Sequence, residues 1–422
     1  MSSLIVYLNN QEVGILRDEE PPLFQYDQAW LEATNAYPLS RQLPLQSQPF
    51  SGRAVRAFFA GLLPEAETRA RIASVLGVSA GNDFALLKRI GGECAGAVSL
   101  WPEGYPRPEL SGTPSQRRLN DAELEEIVRQ LPQRPLLAGD EGIRLSLAGA
   151  QVKLPVIVDP TDGSLALPLG SAASTHILKP EPARFPGLAA NEAFCMALAR
   201  AVGLEAVDTQ WIRVGPTPCL LAHRYDRELE AGGTLVRIHQ EDFCQALGVP
   251  PERKYQGEGG PSLSDCFDLL RQWSSAPVVD IRSFLDGIIF ATLTGNADAH
   301  AKNFSFMYRG ARRCMAPLYD QVCTLAWPEL STSLSMKIGS ASLLPEVSPE
   351  HFRQLASKAG LAWPMLRERL AELTAKLDNV LKGVDLNLDA EAVRLSNPAR
   401  QIALARTKRM QAACAASGSS AG

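Results

Sequence analysis

The stretch that decides the fold is "GNADAHAKNFSF", residues 295–306, which follows an apolar segment. In that segment, residues 283–294, large apolar side chains recur at three- and four-residue steps, which predicts a buried helix. Gly295 can end the helix, so we expect Asp298 in the loop that follows. A carboxylate held just past a buried helix is well placed to accept a proton from a substrate hydroxyl.

Asn303 stands five residues after Asp298, and its amide oxygen can bind a hard cation. In protein kinases a catalytic aspartate is followed five residues later by a metal-binding asparagine, and a second metal-binding aspartate comes further along the chain. Asp320, 22 positions after Asp298 and preceded by a strand-like Pro-Leu-Tyr run, can supply that carboxylate. Two such oxygen ligands suit Mg²⁺. The alternative is that Asp298 caps a turn and Asn303 bonds only the backbone.

The other parts of a kinase site are expected upstream, where the chain is rich in β-like runs. In "THILKPEP", Lys179 ends a predicted strand, from which an ammonium group can reach nucleotide phosphates. Glu192, near the start of the predicted helix "NEAFCMALARAVGL", can pair with that lysine as the corresponding residues do in protein kinases. Taken alone, each of these residues is typical of a surface charge.

A phosphate-binding loop is predicted in "RLSLAGAQVKLPV", although the chain has neither a Walker A string nor GxGxxG. Small residues there let the backbone amides of Leu147, Ala148, Gly149 and Ala150 approach a polyanion. Ser146 stands at the head of this loop, where an ordinary turn residue is the alternative interpretation.

An adenine pocket is predicted at "CLLAHRYDRE", where a strand ends at Ala222 and His223. Backbone groups near His223 and Tyr225 can meet the purine edge, and Asp226 can reach a ribose hydroxyl. A strand followed by a charged turn explains the same residues without a ligand.

Changes of pattern along the chain divide it into domains. Residues 1–105 combine strand-like and helical spacing in a small α+β unit, and the Pro-, Gly- and Ser-rich segment 102–120 marks its end. Residues 106–236 show short β-like runs with one inserted helix, and 237–411 are mainly helical. We expect a disordered tail over 412–422, which is small and polar.

Composition excludes several classes of function. The 422 residues carry a formal charge of −4, so no broad positive field favours direct binding to nucleic acid. No apolar stretch approaches the roughly 18 residues that span a bilayer, and the first residues lack the features of a signal peptide. The eight cysteines form no CxxC pair, which favours a reducing, cytoplasmic setting.

With these motifs in place, the chain resembles the HipA family of serine/threonine kinases, the toxin half of bacterial toxin–antitoxin pairs. The resemblance runs from about residue 25 to 340, and its motifs, in chain order, are "YPLSRQLPL", "FFAGLLPE", "GGECAGAVSL", "SLAGAQVK", "HILKPE", "NEAFC", "HQEDFCQALG", "KYQGEGGP" and "GNADAHAKNFSF". It implies an α+β, protein-kinase-like bilobal fold with a β-rich N-terminal lobe, an added N-terminal α+β subdomain and a mainly helical C-terminal lobe.

The resemblance also implies a role for each candidate residue. Asp298 would be the catalytic base, Asn303 and Asp320 would hold Mg²⁺, and Lys179 would contact the phosphates of ATP. Ser146 would be an inhibitory phosphorylation site, since a phosphoserine cannot share the loop with the phosphates of ATP.

Other residues match the family pattern less directly. His300 and Lys302 fit its string as supporting residues of the catalytic loop, and the remaining histidines are too scattered for His300 to join a zinc site. Val152 and His223 depart from the glutamates usual in the family. Val152 puts a side-chain role at that position in doubt, whereas hinge contacts to adenine are mostly made by the backbone.

The predicted function is therefore ATP-dependent phosphorylation of a protein serine or threonine, which arrests growth. The resemblance implies a substrate such as an aminoacyl-tRNA synthetase, and a HipB-like helix-turn-helix antitoxin that carries the contacts with operator DNA. One alternative is a catalytically silent co-repressor that only docks on this antitoxin, but the residues needed for catalysis are present. A metal-dependent hydrolase using Asp298, His300 and Asp320 would need more ligands than the sequence offers.

Overall fold

The computed structural model describes residues 2–105, 115–170, 172–230 and 235–419. The predicted boundary at 105/106 adjoins residues 106–114, which lie outside the described residues, as do 420–422 of the predicted tail. The chain forms two compact units. The first comprises Met1–Pro180, Ile212–Glu252 and Ser305–Arg313, and the second comprises Glu181–Trp211, Arg253–Phe304 and Cys314–Gly422.

The strands are β1 (Ser3–Leu8), β2 (Gln11–Arg17), β3 (Leu23–Tyr26), β4 (Phe50–Ser51), β5 (Val98–Pro102), β6 (Gln116–Arg118), β7 (Leu154–Val158), β8 (Leu165–Pro168), β9 (His176–Pro180), β10 (Thr209–Val214), β11 (Thr217–His223), β12 (Arg227–Leu229), β13 (Leu235–Arg237), β14 (His239–Asp242), β15 (Ser305–Arg309), β16 (Arg312–Met315), β17 (Ser333–Ile338) and β18 (Ala341–Leu343). The helices are α1 (Gln28–Glu32), α2 (Arg53–Ala60), α3 (Ala66–Leu76), α4 (Asp83–Ile90), α5 (Asp121–Gln130), α6 (Leu188–Ala201), α7 (Phe243–Leu247), α8 (Leu263–Trp273), α9 (Pro277–Thr294), α10 (Pro349–Lys358), α11 (Trp363–Gly383), α12 (Ala390–Leu395) and α13 (Asn397–Ser419).

Two antiparallel sheets organise the first unit. The five-stranded sheet has the order β4-β3-β2-β1-β5, and β1 alternates between buried and partly exposed residues, as a strand with one face on a core should. The six-stranded sheet has the order β10-β11-β9-β7-β8-β6. Lys179 lies in β9 opposite Leu220 of β11, so the predicted strand that carries this lysine is confirmed.

One hydrophobic core serves both sheets of the first unit. It joins Val6 of β1 and Phe58 of α2 to Val156 of β7 and Leu178 of β9. The predicted α+β subdomain and the predicted β-rich lobe thus share a core, since the apolar faces of both sheets are covered by the same set of side chains.

The second unit is built around α9, whose C-terminal half is buried. The Phe284 ring packs edge-on against Phe267 at 4.9 Å and against Phe304 at 4.7 Å between ring centroids. Gly295 ends the helix with a left-handed φ of 89°, which confirms the predicted helix stop. The loop after α9 is therefore anchored at both ends, by Gly295 and by Phe304.

The start of α5 and the end of α13 are two further places where the sequence can be compared with the structure. Asn120 caps α5 in a capping box with Glu123, as its position before an amphipathic run favours. The tail predicted to be disordered instead continues α13 to Ser419. Its alanine-rich sequence has a high intrinsic helix propensity, which extends a helix that has already formed.

No helix within the described ranges combines the length and the apolar character needed to cross a membrane.

Candidate active site

Asp298 is the exposed residue of a loop that is otherwise largely buried. Its backbone N–H donates to Asn296 Oδ1 at 3.0 Å, and its carbonyl oxygen accepts from His300 N at 2.8 Å. Ser335 Oγ of β17 lies 3.1 Å from Asp298 Oδ1. These contacts hold the backbone of the loop while leaving the carboxylate at the surface, as expected for a group that must meet a substrate.

The loop of Asp298 and the segment of Asp320 are joined by hydrogen bonds. Tyr319 OH donates to the Lys302 carbonyl oxygen at 2.8 Å, and Ala297 N donates to Thr324 Oγ1 at 2.9 Å. Leu325 N donates to the Gly295 carbonyl oxygen at 3.2 Å. The structure therefore brings the predicted residues Asp298, Asn303 and Asp320 onto two interlinked segments of the second unit.

Asp320 adopts a left-handed backbone conformation, with a φ of 52°. Aspartate tolerates this region better than most residues, but it is sparsely populated and occurs often at functional sites. The preceding Pro-Leu-Tyr run is not the strand that the sequence suggested. Only Leu318 forms a bridge, with Ala206, because hydrogen bonds from Leu318 N to Glu205 O and from Val207 N to Leu318 O tie a single residue in place.

The donor set offered by these segments fits Mg²⁺. Asn303 Oδ1 accepts a long 3.3 Å hydrogen bond from His300 N, which leaves an oxygen lone pair for a cation. Across the described residues, no group of three or more His, Cys, Asp or Glu side chains is arranged to hold a metal. One amide oxygen and one carboxylate suit an ion that keeps waters and takes further oxygens from phosphate.

His300 and Lys302 are both buried beside Asn303. The His300 ring packs edge-on against Tyr255, with 5.6 Å between centroids. Tyr255 belongs to the "KYQGEGGP" motif, so this motif packs against the loop of Asp298.

Asn191 anchors the segment after Asp320, and sequence reasoning missed it. Its Oδ1 accepts from Cys323 N at 2.8 Å and its Nδ2 donates to Cys323 O at 3.1 Å, so one side-chain amide holds both backbone groups of Cys323. The neighbouring Glu192 is buried in α6, as is Lys179 in β9. Lys179 belongs to the first unit and Glu192 to the second, and the pairing predicted between them stays a prediction.

In the first unit, the predicted phosphate-binding loop is fastened to the segment 62–68. Ser146 Oγ donates to Leu62 O at 2.8 Å, Glu65 N donates to Gly149 O at 3.0 Å, and Thr68 Oγ1 donates to Ala150 O at 2.6 Å. These bonds use the hydroxyl at the head of the loop and its carbonyl oxygens.

Three of the four amides of the same loop are left available. Within the described ranges no hydrogen bond uses the N–H of Leu147, Ala148 or Ala150, whereas the parallel bridge between Pro64 and Gly149 engages the N–H of Gly149. Lys153 Nζ donates to Ala148 O at 2.7 Å, and Gly149 has a φ of 107° at which a side chain would be strained. Backbone donors beside a cation are the features that bind phosphate.

The residues of the predicted adenine pocket lie in different environments, and the pocket stays a prediction. His223 ends β11 and is exposed, with its ring 5.1 Å from that of His176. Tyr225 OH donates to Gln240 Oε1. Asp226 is 2% exposed, and its oxygens accept from Arg224, Gln240 and the Gly96 amide.

The environment of Asp226 favours a structural role. Burial opposes its ionisation, but the charges of Arg224 and Arg227 outweigh burial and lower its pKa to about 2. A hydrogen bond to a ribose hydroxyl would require the carboxylate to leave these partners.

The sequence analysis did not identify two groups of residues that support the candidate site. Asn191 and Lys153 lie within quoted motifs, "NEAFC" and "SLAGAQVK", and could have been found there. Thr68, Thr324 and Ser335 stand outside these motifs, and only the fold brings them to the site.

Comparison with known families gives two matches that together cover most of the chain. The family described as HipA N-terminal domain matches residues 4–101, and the family described as HipA-like C-terminal domain matches residues 145–381.

Individual relatives agree with these matches. The chain is 50% identical to "Putative kinase Y4mE" of Sinorhizobium fredii, over 83% of each chain. It is 32% identical to "Serine/threonine-protein kinase toxin HipA" of Shewanella oneidensis, over 74% of this chain and 72% of that protein.

A solved structure has the same fold. It is described as the Shewanella oneidensis toxin–antitoxin system HipA, HipB and its operator DNA complex, and it matches with a TM-score of 0.84 and 27% identity over 97% of this chain and 98% of that one. The similarity confirms the predicted α+β, kinase-like fold class.

Proposed function

Because the chain belongs to the HipA family, we propose that it is an ATP- and Mg²⁺-dependent serine/threonine protein kinase and the growth-arresting toxin of a toxin–antitoxin pair. The observation that carries this proposal is the exposed Asp298 carboxylate on a loop hydrogen-bonded to the segment of Asp320. A silent co-repressor would have no need for these residues.

Asp298 acts as the catalytic base. Its carboxylate accepts the proton of a serine or threonine hydroxyl as the oxygen attacks the terminal phosphate of ATP. The bond that Asp298 N donates to Asn296 Oδ1 and the contact with Ser335 Oγ reduce the number of orientations that the base samples before reaction.

Asn303 and Asp320 would hold Mg²⁺, which, when bound, neutralises charge on the phosphate oxygens. The hydrogen bonds of Asn191 and Tyr319 support this assignment, because they hold the two segments that carry the ligands.

Lys179 and the loop of residues 147–150, in which the amides of Leu147, Ala148 and Ala150 are open, bind the phosphates of ATP and offset the charge that moves during transfer. Glu192 would orient Lys179. His223 and Tyr225 lie where backbone contacts to adenine would be made, and His300 and Lys302 keep the catalytic loop in shape.

Ser146 is the proposed site of inhibitory autophosphorylation. Its hydroxyl is buried against Leu62 O, so the loop must leave its position before the serine can react. A phosphate group would then prevent its return, because it adds nearly two negative charges where the phosphates of ATP must bind.

The partners follow from the relatives. The structural relative is a complex with HipB and operator DNA, which supports a HipB-like antitoxin for this chain and contact with DNA mainly through that antitoxin. The formal charge of −4 agrees with this division of roles. We further propose a cytoplasmic protein substrate that serves translation, such as an aminoacyl-tRNA synthetase.

The test is phosphate transfer by the full chain. Wild-type protein with Mg²⁺ and radiolabelled ATP should label itself and proteins of a cell lysate, and Asp298→Asn should reduce labelling by at least a hundredfold. Induced expression should arrest growth in the wild type and not in Asp298→Asn. A variant that labels proteins as the wild type does would remove Asp298 as the base, and equal toxicity would separate growth arrest from kinase chemistry.

A further inference from the structure

Ser335 lies on β17, far along the chain from the motifs that define the candidate site, yet it reaches Asp298. It is 5% exposed, whereas Ser333 and Lys337 of the same strand are exposed. Ser335 Oγ lies 3.1 Å from Asp298 Oδ1 and 3.1 Å from the carbonyl oxygen of Ala297. A serine hydroxyl has a single proton to donate, so the two acceptors compete for it.

The carboxylate is the better of these two acceptors. The Ala297 carbonyl oxygen already accepts the backbone N–H of Ser335 at 3.0 Å. An ionised carboxylate forms hydrogen bonds about twice as strong as those of a neutral carbonyl group. The hydroxyl proton of Ser335 therefore goes to Asp298 Oδ1.

The second carboxylate oxygen of Asp298 remains open. Among the residues that the structure describes, none donates a hydrogen bond to Asp298 Oδ2. With Oδ1 engaged by Ser335, Oδ2 is the oxygen left for a substrate hydroxyl. An exposed aspartate has no packing to fix its side chain, and a general base works only within about 3.2 Å of its proton.

The strand that carries Ser335 is itself held in place. It pairs with β18 through Ser333 and Leu343 and through Ile338 and Ala341. Lys337 N donates to Gln256 Oε1 at 2.7 Å, which ties β17 to the "KYQGEGGP" motif. The hydroxyl of Ser335 is thus presented to Asp298 from a fixed support.

We propose that Ser335 is a positioning residue for the catalytic base: its hydroxyl holds Asp298 Oδ1 so that Oδ2 faces the substrate hydroxyl. This role rests on the kinase function proposed above. It predicts an effect on the rate of transfer and none on the affinity for ATP, because no atom of the nucleotide is involved.

Three variants of the full chain test the role. Labelling of the chain by radiolabelled Mg-ATP is followed in time at several ATP concentrations, which gives a maximal rate and a half-saturating concentration. Ser335→Ala should lower the maximal rate about tenfold, the loss expected for one charge-assisted hydrogen bond, without changing the half-saturating concentration. Ser335→Thr keeps the hydroxyl and should restore most of the rate.

Ser333→Ala is the matched control, since it removes an exposed hydroxyl from the same strand. It should behave as the wild type. If Ser335→Ala also keeps the wild-type rate while Asp298→Asn is inactive, the positioning role is wrong and the kinase function stands.

Two other results would also decide the matter. A rate lost in Ser335→Ala together with a lowered melting temperature, and not recovered in Ser335→Thr, would show a purely structural serine and overturn the proposal. A wild-type protein that transfers no phosphate would overturn both the kinase function and the role of Ser335.

Discussion

Two carboxylates of this chain lie in opposite environments, and their surroundings give them different roles. Asp298 is exposed, with its loop fixed beneath it. Glu241 is 0% exposed, and it accepts hydrogen bonds from Ser40 Oγ at 2.6 Å, from Arg41 N at 3.1 Å and from Tyr308 OH. Burial raises the pKa of Glu241 to about 7, although these bonds oppose the shift.

The raised pKa of Glu241 makes part of the stability dependent on pH. Between pH 4.5 and 7 the folded state keeps a proton on Glu241 that the unfolded state has released. The contribution is therefore fully present below pH 4.5 and is lost as the pH rises through 7. In Glu241→Gln, which cannot ionise, this loss should be absent.

We accordingly expect the free energy of unfolding of Glu241→Gln, relative to wild type, to rise by about 1.4 kcal/mol per pH unit across this window. Urea denaturation at pH 5, 6, 7 and 8 measures it. His239, whose pKa burial lowers to about 4, is present in both proteins and cancels in the difference. Glu258→Gln, at an exposed position, should follow the wild type, and a constant difference between Glu241→Gln and wild type would contradict the assignment.

At the scale of elements, the loop proposed to bind phosphate depends on a segment that is distant in sequence. Thr68 of α3 donates a hydrogen bond to Ala150 O. At the end of the "FFAGLLPE" motif, Glu65 N donates to Gly149 O and Leu62 O accepts from Ser146 Oγ. The same bonds that shape the loop also bury the serine proposed for phosphorylation. Loop release and modification of Ser146 should therefore be linked.

Removing one of these bonds should speed the modification. Thr68→Val keeps the shape of the side chain and loses a hydrogen bond of about 1 kcal/mol, which raises the population of the released loop roughly fivefold. Mass spectrometry of protein incubated with Mg-ATP should show Ser146 phosphorylated faster by a similar factor.

Thr68→Ser keeps the hydroxyl and should label at the wild-type rate. Equal rates in Thr68→Val and wild type would show that the segment 62–68 does not restrain the loop. Phosphate found only at residues other than Ser146 would overturn the inhibitory site itself.

At the scale of the whole molecule, a buried group of charges joins distant parts of the first unit. Glu93 accepts from Arg224 at 3.2 Å, from Arg227 at 2.8 Å and from Arg237 at 2.6 Å, and Ser174 also donates to it. Burial alone would raise the pKa of Glu93, but the three arginine charges hold it well below its usual value. This group connects the "GGECAGAVSL" motif with the turn after β11.

Neutralising Glu93 should therefore lower the free energy of unfolding. In Glu93→Gln the three buried guanidinium groups would lose the carboxylate that they share. We expect the free energy of unfolding to fall by about 3–5 kcal/mol, as measured by urea denaturation at pH 7.

The matched control is Glu126→Gln, which removes a charge from an exposed pair with Arg129 on α5. Its unfolding midpoint should stay close to that of the wild type, because surface pairs are weak and screened by salt. A Glu93→Gln protein as stable as this control would mean that the buried charges do not hold the unit together.

Local sequence signals determined those features that depend on a few neighbouring residues. The helix ending at Gly295, the exposed Asp298 after it, the strand of Lys179 and the cap at Asn120 follow from periodicity and from the conformational preferences of glycine and asparagine. The motifs of the HipA resemblance also identified the family, because so many ordered strings cannot agree by chance.

Only the tertiary structure shows what most motifs contact. Their hydrogen bonds and ion pairs join residues that are distant in sequence and that become neighbours only when the chain folds. "YPLSRQLPL" meets "HQEDFCQALG" through Ser40 and Glu241, and "FFAGLLPE" meets "SLAGAQVK" through Leu62 and Ser146. The burial of Asp226 and the contact of Ser335 with Asp298 arise in the same way. The sequence alone pointed to the loop proposed as catalytic, and only the tertiary structure shows which side chains hold that loop.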